Sequence, residues 1–136
     1  MCVFTHFAAG ALTGWLVPNA YAAPFLGLGS HVALDMVPHM DFEDYRIEIA
    51  LWVAAMAALL AGGVHAPAIL IAGLAGVLPD LENLLWKLGK IRDDQKIFPG
   101  HRKGTLPHGR KTGVWSIVVQ VAFTASVVAF LVGGNA

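Results

Sequence analysis

The sequence predicts an all-α fold, a small integral membrane helical bundle of about five hydrophobic helices plus a short amphipathic helix, forming one domain over residues 1–136. Three observations predict it. The 136 residues are 57% hydrophobic and only 13% charged, against roughly 25% charged in soluble domains. The nine Lys and Arg and the nine Asp and Glu all fall in two windows, 35–48 and 80–111, leaving 1–34, 49–79 and 112–136 without a charge. Pro and Gly break the uncharged stretches into runs of helical length. This pattern excludes a disordered chain, which needs high charge and low hydrophobicity. A formal net charge of zero suggests no nucleic-acid partner. Cys2 is the single cysteine, so no intrachain disulfide and no cysteine-based zinc knuckle is available.

Residues 3–16 carry small side chains (Ala8, Ala9, Gly10, Ala11, Gly14) and read as a close-packing helix ended near Pro18-Asn19. Ala20-Tyr21-Ala22 mimics a signal-peptidase site, but no Lys or Arg precedes the apolar run and His6 interrupts its start, so the segment is expected to be retained. Residues 22–37 form a second helix, with Pro24 in its first turn and Pro38 ending it. Residues 38–45 are an acidic loop in which Asp44 can cap the next helix, 46–62, which ends at Gly62-Gly63. A run over 66–78 is expected to stop at Pro79, with a separate amphipathic helix over 81–88 and Gly89 after it. Residues 90–111 are a polar loop, and 113–132 form an apolar span of about 20 residues, enough to cross a hydrocarbon core. Trp15, Trp52, Trp86 and Trp115 fit an aromatic belt near span ends.

All basic residues except Arg46 lie between Lys87 and Lys111, which places that loop in the cytoplasm. Counting spans backwards puts Arg46, the 38–45 loop and the N-terminus on the same side. Both charged windows then share one face, with five of the six histidines (His6, His31, His39, His101, His108) and with Asp35, Asp41, Asp80 and Glu82. His65 falls on the opposite side as a turn residue.

Imidazole and carboxylate are the ligands zinc accepts when thiolates are lacking. His31 and Asp35 are four apart and share a helix face. His39 is one turn further on, beyond Pro38. An ionisable group such as Asp35 within an apolar run is costly and suggests function. Each residue also has a plainer reading. A single His in an apolar helix is commonly hydrogen-bonded packing. Asp80 can cap the 81–88 helix, Glu82 can favour its dipole, and His101 and His108 can be solvated.

Four segments together resemble the YdjM-like family of small bacterial inner-membrane proteins, described as membrane-bound metal-dependent hydrolases. They are Thr5-His6-x-x-x-Gly10, His31-x-x-x-Asp35-x-x-Pro38-His39, Leu78-Pro79-Asp80-Leu81-Glu82 and His101-Arg102-x-x-Thr105. The likeness spans residues 5–110. Family members carry Leu-Pro-Asp-Ile-Asp, where Glu82 here replaces the second Asp. Their His-Arg-Gly-x-Thr-His segment is here longer by two residues before His108. The His-x-x-x-Asp spacing is also similar to helical zinc ligands of the zinc-dependent phospholipase C group.

The resemblance implies a divalent metal, zinc above all, held by His6, His31, Asp35, Asp80 and His101, with His39 and His108 as further candidate ligands. Glu82 or a free Asp would act as general base, and Arg102 with Lys103 would hold an anionic head group. The expected activity is hydrolysis at the cytoplasmic membrane face, of a phospholipid or a lipid-linked ester, by a multi-pass protein of the bacterial inner membrane whose standing partner is the lipid bilayer. Two other functions remain open. One is a non-catalytic membrane protein whose His/Asp cluster binds a structural metal or a partner. The other is a small transporter with Asp35 in a relay, for which 49–79 and 112–136 offer few polar groups.

Overall fold

The computed structural model describes residues 1–102, 105 and 109–134. The fold is all-helical, with five α-helices: α1 (Val3–Leu16), α2 (Ala23–Asp35), α3 (Tyr45–Ala61), α4 (Pro67–Lys87) and α5 (Trp115–Gly133). Two short 3-10 turns, Asp93–Gln95 and Pro99–His101, shape the long polar loop. α4 and α5 are long and apolar enough to cross a membrane.

The tightest packing joins α1, α2 and α4, and small residues make it possible. A Cβ on Gly10 would lie 2.3 Å from the Ala72 carbonyl oxygen, one on Gly14 2.2 Å from that of Ala68, and one on Gly27 2.2 Å from that of Ala72. At these crossings backbone rests on backbone. α5 and α3 close the bundle on the far side of α1 through Phe7, Leu59, Val127 and Leu131, all buried. α3 and α4 scarcely meet.

Local chemistry explains three of the helix ends. Asp44 caps α3, its carboxylate accepting from Arg46 N–H at 2.9 Å. α3 and α4 both stop in Schellman motifs built on left-handed glycines, Gly63 at φ 83° and Gly89 at φ 67°. In the first, Val64 N–H reaches back to the Leu59 carbonyl, and in the second Lys90 N–H reaches that of Leu85.

One boundary differs from expectation. Pro79 does not end a helix: the 66–78 run and the 81–88 segment are one helix, α4, with Pro79 inside it. A proline removes one N–H donor and crowds the carbonyl four residues earlier. Within a bundle, neighbouring groups can serve the disturbed backbone. The carbonyl four residues before Pro79 is that of Ala75; the ring of His31 serves the next one, its Nδ1 lying 2.8 Å from the Gly76 carbonyl oxygen. Asp80 is accordingly an interior residue of α4 and not a cap. Trp52 also departs from the aromatic belt, since it sits in the middle of α3 and lines a cavity.

The two charged windows meet, as expected from the sequence. Gly109 N–H donates to the Asp35 carbonyl at 2.7 Å, His39 N–H to that of Arg110 at 3.1 Å, and Thr112 N–H to that of His39 at 3.2 Å. The polar loop is thereby stitched to the C-terminal end of α2. His65 is exposed in the turn between α3 and α4.

Candidate metal centre

Five donor residues from four segments converge beside Asp35. α1 supplies His6, α2 supplies His31 and Asp35, α4 supplies Asp80, and the Pro99–His101 turn supplies His101. His6 Nε2 lies 3.1 Å from Asp35 Oδ1, His31 Nε2 3.2 Å from Asp35 Oδ2, and His101 Nε2 3.4 Å from Asp35 Oδ2. His31 Nε2 and His101 Nε2 are 3.4 Å apart. Asp80 completes the set, with Oδ2 3.9 Å from His6 Nε2 and Oδ1 3.8 Å from His101 Nε2. Ligands bonded to zinc at 2.0–2.1 Å in a tetrahedron stand about 3.3 Å from one another. The observed separations, 3.1–3.9 Å, bracket that value. Two overlapping groups, His6–His31–Asp35 and His31–Asp80–His101, can hold a metal ion.

Charge makes the same point. Asp35 and Asp80 are both buried, and buried carboxylates are costly unless paired or bound to a metal. The Oδ2 of Asp80 has no hydrogen-bond partner among the described residues, and no Lys or Arg pairs with Asp80 there. A divalent cation would neutralise Asp80, whereas Asp35 already has the Met1 amino group 3.0 Å from its Oδ1.

The imidazoles are oriented from behind, as metal-binding histidines usually are. His31 donates from Nδ1 to the Gly76 carbonyl. His101 Nδ1 faces Glu82 Oε1 at 3.1 Å. Each partner leaves the Nε2 lone pair directed at the cluster. His6 stacks on His31, with ring centroids 3.8 Å apart, and its Nδ1 has no partner among the described residues. Phe98 sets its ring edge-on to His31 at 5.2 Å and closes that side.

The remaining residues singled out in the sequence have other places. Glu82 directs its carboxylate to the loop, accepting from Ile97 N–H at 2.8 Å and Phe98 N–H at 3.1 Å as well as facing His101. His39 stands outside the two candidate ligand groups: its Nδ1 lies 2.7 Å from the Val37 carbonyl oxygen, and its Nε2 lies 2.7 Å from the Met1 amino nitrogen. That nitrogen is also 3.0 Å from Asp35 Oδ1. Asp41 is largely exposed at the rim, 3.8 Å from His39 Nε2. Arg102 is exposed next to His101. His108 and Lys103 lie outside the described residues. Burial, with Glu48 and Asp41 nearby, pushes the Cys2 thiol up to about 12.

Two contributors carry no signal in the sequence. The Gly76 carbonyl orients His31, and a backbone acceptor has no residue signature. Phe98 reads as one more apolar residue in a polar loop until the loop is seen to fold onto α2.

A cavity of about 570 Å³ opens on one side of this cluster. Asp35, Asp80 and His101 form part of its wall, and Trp52, Leu74, Val77, Leu78 and Leu81 continue it. The donor set is therefore enclosed by protein on the α1–α2 side and accessible on the α3–α4 side. Comparison with family models, with curated proteins and with solved structures returned no match.

Proposed function

We propose that this chain is a metal-dependent hydrolase of the bacterial inner membrane, acting at the cytoplasmic face on a phospholipid or lipid-linked ester. The observation that carries the reading is a buried set of three imidazoles and two carboxylates with metal-ligand spacing, three of whose members border an open cavity. The resemblance of the four sequence segments to the YdjM-like family supports it independently. Zinc suits nitrogen and oxygen donors at these separations. A bound divalent ion would supply Lewis-acid activation of water and of the scissile oxygen.

The chain's own residues divide the rest of the work. His31, Asp35 and His101 form the heart of the donor set, with His6 and Asp80 at its sides. Asp80 is the candidate base, since one of its oxygens is uncommitted and it borders the cavity. It would take a proton from the attacking water as the water oxygen bonds to the phosphorus or carbonyl carbon. The ester bond to the leaving alcohol breaks, and the proton returns to that oxygen. Glu82 acts as a positioning residue through His101. Arg102, exposed beside the site, offers a cation to an anionic head group. A five-span arrangement puts the basic 87–111 loop, and the site it covers, in the cytoplasm.

A non-catalytic structural metal site is the second reading, favoured by the number of protein donors, since structural sites are closed. Turnover decides between them. The detergent-purified protein is expected to hydrolyse a phosphodiester (bis-p-nitrophenyl phosphate) or an acyl ester (p-nitrophenyl butyrate) in a chelator-sensitive manner. Asp35→Ala is expected to abolish this. Stoichiometric metal with neither activity would establish the structural reading.

A further inference from the structure

The cavity beside the cluster has a shape and lining that specify more than access. α4 lines it from Leu74 to Lys87 and α3 from Tyr45 to Trp52. Leu74 and Leu78 stand 43% and 60% exposed on its α4 edge, so the groove opens sideways between two helices. Asp35, Asp80 and His101 contribute polar lining, and from Asp80 towards the start of α4 the lining residues, Leu78, Val77 and Leu74, are apolar. Asp80 and Leu74 are six residues apart, about 9 Å of helix rise. This order matches a lipid, with its ester level with the donor cluster and its chain running away from it.

Size limits the occupant. The cavity, about 570 Å³, has the size of a pocket for one small ligand, which suits a single acyl chain. A second observation points to a ligand with a polar group near its chain. Glu48 Oε1 and Trp52 Nε1, on cavity-lining residues one turn apart on α3, have no hydrogen-bond partner among the described residues. A buried donor and a buried acceptor left over on one helix face are rare in a finished interior. An ester oxygen of a lipid can accept from Trp52 Nε1, and a free glycerol hydroxyl can donate to Glu48 Oε1.

We propose that the α3–α4 groove receives a single acyl chain of a membrane lipid ester from the side, and that this chain sets the substrate class of the neighbouring metal centre. The substrate assignment rests on the hydrolase reading; the groove as a chain-binding site stands on its own lining.

The test uses the full chain in detergent with Trp15, Trp86 and Trp115 changed to Phe, so that Trp52 alone reports. Phosphatidylglycerol with one brominated acyl chain is expected to quench Trp52 saturably, at about one lipid per protein. Leu74→Phe with Leu78→Phe, which fills the groove, is expected to weaken that binding at least tenfold. Should this variant fold poorly, competition supplies the answer. Unbrominated lysophosphatidylglycerol should displace the probe, and glycerophosphoglycerol, which lacks a chain, should not. Quenching that rises linearly with the bromolipid fraction and is not competed would overturn the proposal. So would quenching that depends on protein concentration, because a second copy would then fill the groove. Metal content measured on the same samples separates the two readings. Saturable quenching without metal would leave the groove standing and remove the hydrolase, and metal without saturable quenching would do the reverse.

Discussion

The two sides of α4 are built on opposite rules. Toward α1 and α2 it presents Ala68, Ala72, Gly73 and Gly76, and carbonyls of one helix touch the α-carbons of another. Toward α3 it presents Leu74, Leu78 and Leu81, and there is a cavity. The first side leaves no freedom in how His6, His31, Asp35 and Asp80 are placed, because three backbones are locked together around them. The second leaves room for something that is not protein. A rigid donor set with access from one direction follows from putting small residues on one face of a helix and large ones on the other.

This contrast can be broken most severely at its tight side. Gly10→Val would drive a side chain into the Ala72 carbonyl, which cannot yield without moving α4, and is expected to cost more than about 3 kcal/mol. In practice the protein should fail to fold, read as loss of a cooperative thermal transition in detergent. At the junction of the two sides, Asp80→Asn should change sign with conditions. In chelator the variant should be more stable than the wild type by roughly 1–3 kcal/mol, because a buried unpaired carboxylate is removed. With metal added, the wild type should regain the lead. A variant less stable in both states would show that Asp80 is paired without an ion. Glu82→Gln sharpens the contrast more gently, since it weakens the anchor behind His101 and leaves the donor count intact. Its metal affinity should fall about 10–100-fold, measured by competition with a chromogenic chelator. The smallest effect is expected where α2 faces neither side. A Cβ on Gly29 meets nothing within 4 Å, so Gly29→Ala should leave metal content unchanged and stabilise by up to about 1 kcal/mol.

Much of the helical order was legible because charge is segregated so sharply. Asp35 was conspicuous in the sequence for the same reason, as a lone carboxylate in an apolar run. The meeting of the two charged windows followed from counting spans, and the Asp35–Gly109 and His39–Arg110 hydrogen bonds are how the chain accomplishes it. Other features were not legible. Pro79 is a helix breaker by local rules, and only the packing of α4 against two other helices lets the chain continue through it. The direction of His39 depends on the turn after Asp35, where Pro38 makes spacing uninformative. The carboxylate of Glu82 looks available until the 97–101 loop folds back onto it. The groove has no sequence signature, since it arises where α3 and α4 scarcely meet, which is decided by how each packs on its other neighbours.

The central claim is that a divalent metal occupies the cluster around Asp35, and elemental analysis of the detergent-purified protein tests it most directly. Wild type should carry at least one equivalent of a divalent metal, zinc above all, and Asp35→Ala and His31→Ala, purified identically and still folded, should carry almost none. A folded wild type without bound metal, and without uptake when zinc is supplied, would contradict the account.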